Sequence, residues 1–369
     1  MTAASRRVLL VSPYHTGSHR QWAEGFAAAS AHDVRLVTLP GQFWKWRLLA
    51  GAVTLAEQVR RHVDRHGAPD VVLATSMTDV AGLVGHARPA LDGVPIALYM
   101  HENQVTYPAT GRTAAAARHG LVTWSSLLAA DGVAFNSDFH REAVLEALPR
   151  FLGSFPETDH VALVPGVAEA SIVLPVGIDL GAPPVPRRGE RPRLLWNHRW
   201  DPDKRPEEFL AMARDLATEA FDFDVALLGE RFANQGADYQ DDVDRLGDRV
   251  VVAEHVDRAR YLDVLAGADV VVSTAVQEFF GVSVVEAIWH GAFPVLPDRL
   301  VYPERIPPSF HEACLYRSPS QLRERVRWAL SHRDEAAAVS AEIRPSLAEF
   351  DWAEVAPRYD AWLGSMTGA

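Results

Sequence analysis

Short runs of β-branched residues alternate with longer amphipathic stretches along this chain, and the alternation starts twice. In the first half the short runs are "RVLLVS", "DVRLVTL", "DVVLAT", "VPIALYM" and "GVAFNS". In the second half they are "RLLWNHR", "FDVALLG", "RVVVAEH", "ADVVVST" and "AFPVLP". Strands that alternate with helical stretches are typical of βαβ units, which build parallel sheets. The pattern predicts an α/β protein with two doubly wound domains, as a length of 369 residues also suggests.

A proline- and arginine-containing stretch, "APPVPRRGERP", separates the two halves and is typical of an interdomain linker. We therefore expect an N-terminal domain over residues 1–181, a linker over 182–192 and a second domain over 193–348. Residues 349–369 are expected to form a helix that crosses back to the N-terminal domain. Because parallel sheets bind ligands at the carboxyl ends of their strands, the expected ligand site is a central cleft that the two domains face.

Charge, cysteine count and hydropathy exclude several classes of protein. The formal net charge of −12 argues against a broadly basic nucleic-acid surface, although it allows a local basic patch. The single cysteine, Cys314, excludes an intrachain disulfide and a thiolate zinc cluster. No apolar run reaches the ~18 residues of a membrane helix, and the apolar run Val8 to Val11 is too short for a signal peptide. We expect a soluble cytoplasmic protein with no membrane contact and no obligate protein partner.

Two carboxylates flank a glycine in the segment "EFFGVSVVE", at Glu278 and Glu286. A helix that begins near Gly281 would place Glu286 one to two turns in and leave Glu278 in the preceding loop. The N–H groups of Val282 and Ser283 would then point out of the helix start, where an anion is favoured. The segment predicts a phosphate site between two acceptors for hydroxyl groups, which suits a nucleotide sugar. Alternatively, Glu278 is a solvated loop residue and Glu286 a surface helix residue.

The segment "WNHRWDPDKRPEEFL" closes the first strand of the second half and contains a pair of spaced cationic residues among its charged side chains. Arg199 and Lys204 lie five residues apart, where they would neutralise a diphosphate and stabilise it as a leaving group. A solvated turn capped by Asp201 and Asp203 is the alternative. A metal site at these two aspartates is not expected, because the two cations would replace the charge of a metal ion.

Polar residues also follow two strands of the first half. "SPYHTGSHRQW" contains a turn of small residues, Thr16 to Ser18, that would let the backbone approach a ligand closely. It is not a G-x-G-x-x-G fingerprint, so a nicotinamide site has little support. "LYMHENQVTYP" places His101, Glu102 and Asn103 at a strand end, suited to catalysis or to binding a sugar, although a lone histidine there is often structural.

The segment "LPGQFWKWRLLAG" interleaves aromatic and cationic side chains. Trp44 and Trp46 alternate with Lys45 and Arg47 after Phe43, a mixture that suits stacking on a base with phosphate contacts nearby. The alternative is an amphipathic turn whose tryptophans pack inward while the cations stay solvated.

These motifs resemble, in order and separation, those of the retaining GT-B glycosyltransferases of the large glycogen-synthase-like group. That group has an arginine and a lysine five residues apart, followed by two glutamates with seven residues between them. The resemblance implies two Rossmann-like domains, with Glu278 on the transferred sugar and Glu286 on the ribose. It also implies that Arg199 and Lys204 hold the diphosphate, together with the backbone of residues 281–283.

Two positions of the first half fit the same group unequally. His101 matches the histidine that lies beside the donor sugar. The glycine-rich first loop matches Thr16 to Ser18 only loosely, because the group commonly has two glycines there and this chain has one.

A narrower resemblance covers nearly the whole chain. "GSHRQWAEGF", "TLPGQFWKWRLLAGAVTLAEQ", "HENQVTYP", "WNHRWDPDKRPEEF" and "EFFGVSVVEAIWHGAFPVLPDRLVYPE" are similar to segments of the tRNA-queuosine α-mannosyltransferases. This resemblance implies transfer of mannose from GDP-mannose, without another cofactor, to the cyclopentenediol of queuosine in the anticodon of tRNA-Asp. "FWKWR" and "HENQ" distinguish this branch from its relatives, so they are the candidate acceptor contacts.

The expected site residues fall into three groups. The predicted catalytic residues are His101, Arg199, Lys204 and Glu278. The predicted donor-binding residues are Gly17, Ser18, Glu254, Phe280, Gly281, Val282, Ser283 and Glu286. Glu254 belongs here because "LGERFANQ" and "VVAEHV" follow strands beside which the donor base should lie, where a carboxylate could accept from a guanine edge. The predicted acceptor-binding residues are His19, Trp44, Lys45, Trp46, Arg47, Glu102 and Asn103.

Two other functions stay open at this point. A GT-B enzyme with a small-molecule or lipid acceptor would suit the acidic net charge. A non-catalytic protein that binds a nucleotide sugar or tRNA is the other alternative, although such a protein does not need Arg199 and Lys204 to stabilise a leaving group.

Overall fold

The computed structural model describes residues 5–106, 114–156, 159–219, 221–230 and 239–367. The chain divides into two compact units. The first unit contains residues 1–179 together with 350–369, and the second contains residues 180–349. None of the helices in the described ranges is long and apolar enough to cross a membrane.

The first unit is built on a parallel sheet of six strands in the order β2-β1-β3-β4-β5-β6. Its strands are β1 (Arg7–His15), β2 (Asp33–Pro40), β3 (Val71–Thr75), β4 (Ile96–Met100), β5 (Gly132–Phe135) and β6 (Ser171–Val173). Its helices are α1 (Gly17–Ala29), α2 (Trp44–His66), α3 (Val80–Ala87), α4 (Ala114–Ala129), α5 (Asp138–Leu152), α6 (Val164–Glu169) and, last in the chain, α15 (Trp352–Met366).

The second unit repeats this design with the strand order β12-β11-β10-β7-β8-β9, also parallel. Its strands are β7 (Arg193–Trp196), β8 (Asp224–Leu228), β9 (Val250–Glu254), β10 (Val270–Val272), β11 (Phe293–Pro297) and β12 (Leu315–Tyr316). Its helices are α7 (Pro206–Thr218), α8 (Gln240–Asp244), α9 (Arg258–Ala266), α10 (Val282–Trp289), α11 (Tyr302–Arg305), α12 (His311–Cys314), α13 (Pro319–Ser331) and α14 (Arg333–Ile343). The predicted α/β architecture with two doubly wound sheets is confirmed.

The sequence explains why these segments adopt these elements. The central strands β3, β4 and β5 are buried at every position, as expected for parallel strands covered on both faces. Helix α2 buries Leu48, Ala52, Leu55 and Val59, which recur at helical spacing on one face. Side-chain oxygens that accept from the first helical N–H groups begin other helices, as Ser137 does for α5.

The order of the strands determines where ligands can bind in each unit. Strand order reverses between β1 and β3 in the first unit, and between β7 and β10 in the second. In doubly wound sheets the ligand binds outside the carboxyl ends of the strands at such a reversal. The segments that follow β1, β3, β7 and β10 are therefore the places to look for functional side chains.

Helix α15 packs within the first unit, on α1. The indole of Trp22 on α1 donates to the hydroxyl of Tyr359 on α15 at 3.2 Å, and that hydroxyl donates to the carbonyl of Pro175 at 3.0 Å. Gly25 on α1 lies against Trp352, and a Cβ atom there would approach the indole nitrogen to 2.3 Å. Close approach of the two helices therefore requires glycine at this position.

Residues 182–192 belong to the second unit. The N–H of Arg187 donates to the carbonyl of Ala266 at 2.6 Å, and its guanidinium pairs with Asp263 at 2.8 Å. Arg188 pairs with Asp334 at 2.8 Å. These contacts attach the proline- and arginine-containing segment to α9 and α14.

Candidate active site

Lys204 lies buried in the segment that connects β7 to α7, at the end of a short 3₁₀ helix, Pro202–Lys204. Its ammonium donates to the carbonyl of Gln277 at 2.5 Å. It also pairs with Glu278 at 3.3 Å and with Asp203 at 3.2 Å. A lysine that follows β7 and a glutamate that follows β10 therefore meet at the reversal of strand order.

The carboxylate of Glu278 is held by the backbone as well as by Lys204. Its Oε1 atom accepts from the N–H groups of Phe279 at 3.2 Å, Phe280 at 3.4 Å and Gly281 at 3.1 Å. These three N–H groups lie just before α10. The arrangement demonstrates that the backbone at this helix start can bind a negatively charged oxygen.

Gly281 allows the chain to turn into α10 at this point. Its φ of +84° lies in the left-handed region that favours glycine, and the N–H groups of Val284 and Val285 both donate to its carbonyl. Val282 and Ser283 are the first helical residues, whose N–H groups have no preceding helical carbonyl to bind. Phe280 is buried beneath the guanidinium of Arg305, 4.2 Å from its ring centre. These donor-binding predictions therefore lie together at one helix start.

The charges at this helix start are stabilised mutually. Burial alone lowers the pKa of Lys204, but Glu278 and Asp203 outweigh it and raise the pKa above its ordinary value. Burial alone raises the pKa of Glu278, but other interactions, that with Lys204 above all, lower it to about 2. Both groups are therefore charged at neutral pH.

Arg199, the other predicted diphosphate ligand, is about half exposed and pairs with Asp201 at 3.3 Å. Its charge lowers the pKa of Lys204, so the two cations lie close enough to act on each other. Next to it, His198 is buried, and burial followed by the charge of Lys204 lowers its pKa to about 3. The structure thus brings Arg199, Lys204 and Glu278 together around a neutral imidazole.

Glu286 is buried on α10, with 5% of its surface exposed, so the alternative of a surface position is wrong. Its Oε1 atom pairs with Arg258 at 2.6 Å. Its Oε2 atom accepts from the hydroxyl of Tyr261 at 3.0 Å. Both partners lie on α9, and neither is among the residues expected from the sequence.

The predicted contact with the donor base lies at the carboxyl end of β9. Glu254 is exposed there and is aligned with Leu228 of β8. The companion segment "LGERFANQ" is described only as far as residue 230, and residues 231–235 lie outside the described residues.

In the first unit, the segment after β1 leads directly into α1. Gly17 begins this helix with a φ of +50°, and Gly17 and Ser18 are both exposed. His19 is half-buried, and its ring centre lies 4.6 Å from that of His101, which follows β4. The structure therefore brings the predicted donor-binding turn, His19 and His101 to the same edge of this sheet.

His101 lies among aromatic rings. Its ring centre is 4.5 Å from that of Trp22 and 4.7 Å from that of Tyr99. Neither ring nitrogen of His101 has a hydrogen-bond partner in the part of the chain that the structure describes. Burial, followed by His19 and His140, lowers the pKa of His101 well below its ordinary value, so the imidazole is neutral at neutral pH.

The backbone of His101 is fixed by two side chains. Its N–H donates to the hydroxyl of Ser76 at 3.2 Å, and its carbonyl accepts from the amide of Asn136 at 3.0 Å. The Oδ1 atom of Asn136 faces Nδ1 of His140 at 2.8 Å. Burial lowers the pKa of His140 to about 3, so this second imidazole is also neutral.

Asn103 and Glu102 differ in their surroundings. Asn103 is buried, and its Oδ1 atom accepts from the N–H groups of Val105 at 2.9 Å and Thr106 at 2.8 Å. The side chain therefore stabilises its own loop. Glu102 is half-buried, and its N–H faces the hydroxyl of Ser76 at 3.3 Å. Residues 107 and 108 of "HENQVTYP" lie outside the described residues.

The segment "FWKWR" forms the start of α2. Phe43 precedes the helix with a φ of 56° and is 76% exposed, while Trp46 is 67% exposed. Trp44 is half-buried, with its ring 5.5 Å from that of His119 and with the ammonium of Lys45 5.5 Å from its ring centre. Arg47 is half-buried. The alternative in which both tryptophans pack inward is wrong for Trp46.

Within the described ranges, no group of three or more histidine, cysteine, aspartate or glutamate side chains is placed to hold a metal ion.

Comparisons with solved structures identify the fold. Sucrose-phosphate synthase from Thermosynechococcus elongatus superposes with a TM-score of 0.72, at 16% identity, over 97% of this chain and 98% of that one. HepE from Anabaena, solved with UDP-glucose, gives a TM-score of 0.70 at 16% identity over 97% and 100%. A glycosyl transferase-like family matches residues 204–360. The protein is a glycosyltransferase, and the predicted GT-B fold is confirmed.

Sequence relatives identify the family. The family described as tRNA-queuosine alpha-mannosyltransferase N-terminal matches residues 7–178. The tRNA-queuosine alpha-mannosyltransferase of Drosophila melanogaster is 31% identical over 320 residues, which cover 83% of each chain. The chain belongs to the tRNA-queuosine alpha-mannosyltransferase family.

Sequence reasoning missed four polar residues at the site. Asn197 and His198 stand in the same strand-end segment as Arg199, and their position directly after β7 is the signal that could have found them. Arg258 and Tyr261 lie in the first turn of α9, where nothing in the sequence indicates that they face a carboxylate on another helix.

Proposed function

We propose that this protein transfers mannose from GDP-mannose to the cyclopentenediol of queuosine in the anticodon of tRNA-Asp. One observation carries the donor part: the ion pair of buried Lys204 with Glu278, whose carboxylate also accepts from three backbone N–H groups just before α10. The name of the Drosophila melanogaster relative, 31% identical, supports mannose and queuosine.

The diphosphate is proposed to bind at the start of α10, between Lys204 and Arg199. Two cations and a helix N-terminus favour a group with two negative phosphates. Arg199 is about half exposed and can turn toward a ligand, whereas Lys204 is buried and fixed. Neutralisation by these side chains makes metal-independent binding the expected mode.

The proposed reaction breaks the bond between the anomeric carbon and the β-phosphate oxygen. Lys204 and Arg199 stabilise the negative charge that develops on this oxygen. A queuosine hydroxyl attacks the anomeric carbon from the same face, and its proton passes to the departing phosphate oxygen. The new glycosidic bond keeps the α configuration of the donor, which agrees with the α-mannosyl product in the relative's name.

Further side chains have proposed roles on each substrate. Glu278 orients the mannose through its hydroxyl groups, and Glu286 accepts from the ribose. Neutral His101, whose ring nitrogens lack partners among the described residues, is the proposed sugar contact of the first unit. Glu254 is the proposed acceptor for the guanine edge.

The exposed aromatic side chains at the start of α2 are the proposed acceptor contact. Stacking on unpaired bases needs exposed rings, and Trp46 and Phe43 are more than half exposed. Lys45 and Arg47 add positive charge beside them in a chain whose net charge is −12. This local positive patch supports RNA as the acceptor, although the overall charge of the chain is negative.

A transfer assay tests donor and acceptor together. The purified protein is given radiolabelled GDP-mannose, UDP-glucose or UDP-galactose, with tRNA-Asp that carries queuosine or, as the matched control, guanosine at that position. We expect label only from GDP-mannose and only in the queuosine tRNA, with or without EDTA.

The other outcomes of this assay distinguish the alternatives. Hydrolysis of a nucleotide sugar without a tRNA product would contradict tRNA as the acceptor and favour a glycosyltransferase that acts on a small molecule. Neither transfer nor hydrolysis, with any of the three donors, would contradict the proposal and favour a binding protein. Loss of transfer in EDTA would contradict metal independence.

A further inference from the structure

Three side chains from two segments surround the carboxylate of Glu286 and its helix. Arg258 pairs with its Oε1 atom at 2.6 Å, and Tyr261 donates to its Oε2 atom at 3.0 Å. Asn197, directly after β7, donates to the carbonyl of Ser283 at 2.7 Å and to the hydroxyl of Tyr261 at 3.3 Å. A single network thus joins β7, α9 and the first turns of α10.

The hydrogen-bond roles in this network follow from its chemistry. The carbonyl of Ser283 can only accept, so the amide nitrogen of Asn197 faces it. Burial, followed by the charge of Glu286, raises the pKa of Tyr261 well above its ordinary value, so its hydroxyl stays protonated and donates to the carboxylate. Each network member therefore has a defined direction of donation.

The two contacts from α9 fix the orientation of the Glu286 carboxylate. Each carboxylate oxygen can accept about two hydrogen bonds. Arg258 contacts one oxygen and Tyr261 the other, so the two partners fix the plane of the group. A vicinal pair of hydroxyl groups needs two acceptor directions in one plane, as a fixed carboxylate offers.

We propose that Tyr261 and Arg258 are positioning residues for the ribose of the nucleotide donor, and that they act by fixing the carboxylate of Glu286. Asn197 completes the arrangement, because it ties the hydroxyl of Tyr261 to the same helix turn that begins the proposed diphosphate site. This inference rests on the proposed function, in which Glu286 accepts from the ribose hydroxyls.

A purely structural role for the network predicts a different result. If these side chains only hold α9 against α10, their loss would weaken every nucleotide equally. If they position Glu286 for the ribose, their loss would matter only when the ligand carries ribose hydroxyls. Ligands with and without these hydroxyls therefore separate the two roles.

The experiment measures dissociation constants by calorimetry for GDP and for 2′,3′-dideoxy-GDP, with UDP and its dideoxy form in parallel. The proteins are the wild type, Tyr261→Phe, Arg258→Ala and Arg258→Lys. Arg260→Ala is the matched control, because this arginine lies on the same helix, is more than half exposed and pairs with Asp263. Melting temperatures verify that each variant is folded.

We expect the wild type to bind GDP at least tenfold more tightly than the dideoxy form, since one hydrogen bond to a charged group contributes about that much. Tyr261→Phe and Arg258→Ala should weaken GDP binding about tenfold and leave dideoxy-GDP unchanged. Arg258→Lys should recover part of the loss, and Arg260→Ala should match the wild type.

Two results would overturn the inference, and a third would overturn its basis. Equal weakening of both ligands in Tyr261→Phe would assign the network a structural role, and unchanged GDP binding would remove its role altogether. If the wild type fails to distinguish either diphosphate from its dideoxy form, Glu286 does not bind ribose, and the positioning role fails with that part of the proposed function. If the wild type distinguishes UDP from dideoxy-UDP but does not distinguish the two GDP forms, the donor is a uridine nucleotide and the positioning role is retained.

Discussion

In the first unit, the buried imidazoles of His101 and His140 near the carboxyl edge of the sheet are neutral, whereas in the second unit Lys204 and Glu278 at the corresponding edge are charged and paired. His101 contacts the rings of Trp22 and Tyr99, and its pKa lies well below the ordinary value. The side chains of Lys204 and Glu278 are only 10% and 20% exposed, yet each keeps its charge because the other lies 3.3 Å away.

The difference indicates what each edge can bind. Cations beside a helix start favour a negatively charged group, so the second unit suits a phosphate. Neutral imidazoles and exposed rings offer hydrogen bonds and stacking without a large desolvation cost, so the first unit suits sugar hydroxyls and bases. His198 is the exception in the second unit, since it is buried and neutral beside Lys204.

Removal of the buried cation should have the largest effect. Lys204→Ala should lower the transfer rate about a hundredfold, or about 3 kcal/mol, because it deletes a charge-assisted interaction that is strongest as the diphosphate departs. The rate is measured at saturating donor with radiolabelled GDP-mannose and the queuosine tRNA.

Arg245→Ala is the matched control for this variant, because that arginine is an exposed cation of the same unit. A melting curve shows whether Lys204→Ala is folded, since the change leaves Glu278 and Asp203 without their cation. A folded variant with near wild-type activity would contradict the role of Lys204 and, with it, the contrast between the two units.

The neutral histidines should make stability depend on pH. In the unfolded chain His140 takes a proton below pH 6.5, whereas in the folded chain it stays neutral down to about 3. The unfolded state therefore binds more protons in this window, and stability falls as the pH decreases from 6.5 toward 3. Each such histidine should contribute a slope of about 1.4 kcal/mol per pH unit.

His140→Gln removes this titration and keeps an amide donor for Asn136. The free energy of unfolding is measured by urea titration at pH 7 and at pH 5. We expect the decrease between the two pH values to be about 2 kcal/mol smaller in the variant than in the wild type. His86→Gln, which changes an exposed histidine on α3, is the matched control for the substitution itself. Equal slopes in His140→Gln and the wild type would show that His140 is not held neutral.

The sequence predicted the elements whose signals are local. "EFFGVSVVE" carries its own helix start, so Glu278 lies in the loop and Glu286 in the helix, as expected from the glycine and the apolar residues. The strands β6 and β12 were not predicted, because two or three residues are too few to show a periodicity.

Contacts between distant segments could not be predicted in the same way. The contact between α9 and Glu286 depends on how two helices pack on one sheet. Arg258 and Glu286 are 28 residues apart in the chain, so no local pattern links them. The hydrogen bonds of Asn103 to its own loop are local. The sequence still does not predict them, because an asparagine at a strand end can bind either a ligand or the backbone. Side-chain direction at such positions is set by tertiary packing, which neighbouring residues do not determine.

The exposed indole of Trp46 provides the smallest and most selective expected effect. Trp46→Ala should weaken binding of a queuosine-containing anticodon stem-loop about tenfold, because stacking on one base contributes roughly 1–3 kcal/mol. Stability should change little, since the side chain is 67% exposed. Val53→Ala, an exposed apolar position two turns further along the same helix, is the matched control.

The salt dependence of the same binding separates stacking from charge. Lys45→Ala should reduce the slope of log Kd against log salt concentration by the amount that corresponds to about one phosphate contact. Trp46→Ala should weaken the affinity and leave this slope unchanged. Neither variant should alter the affinity for GDP, because both side chains belong to the first unit and the proposed diphosphate contacts belong to the second. Wild-type RNA affinity in Trp46→Ala would show that the start of α2 does not belong to the acceptor site. Weaker GDP binding in that variant would contradict the assignment of RNA contacts to the first unit and diphosphate contacts to the second.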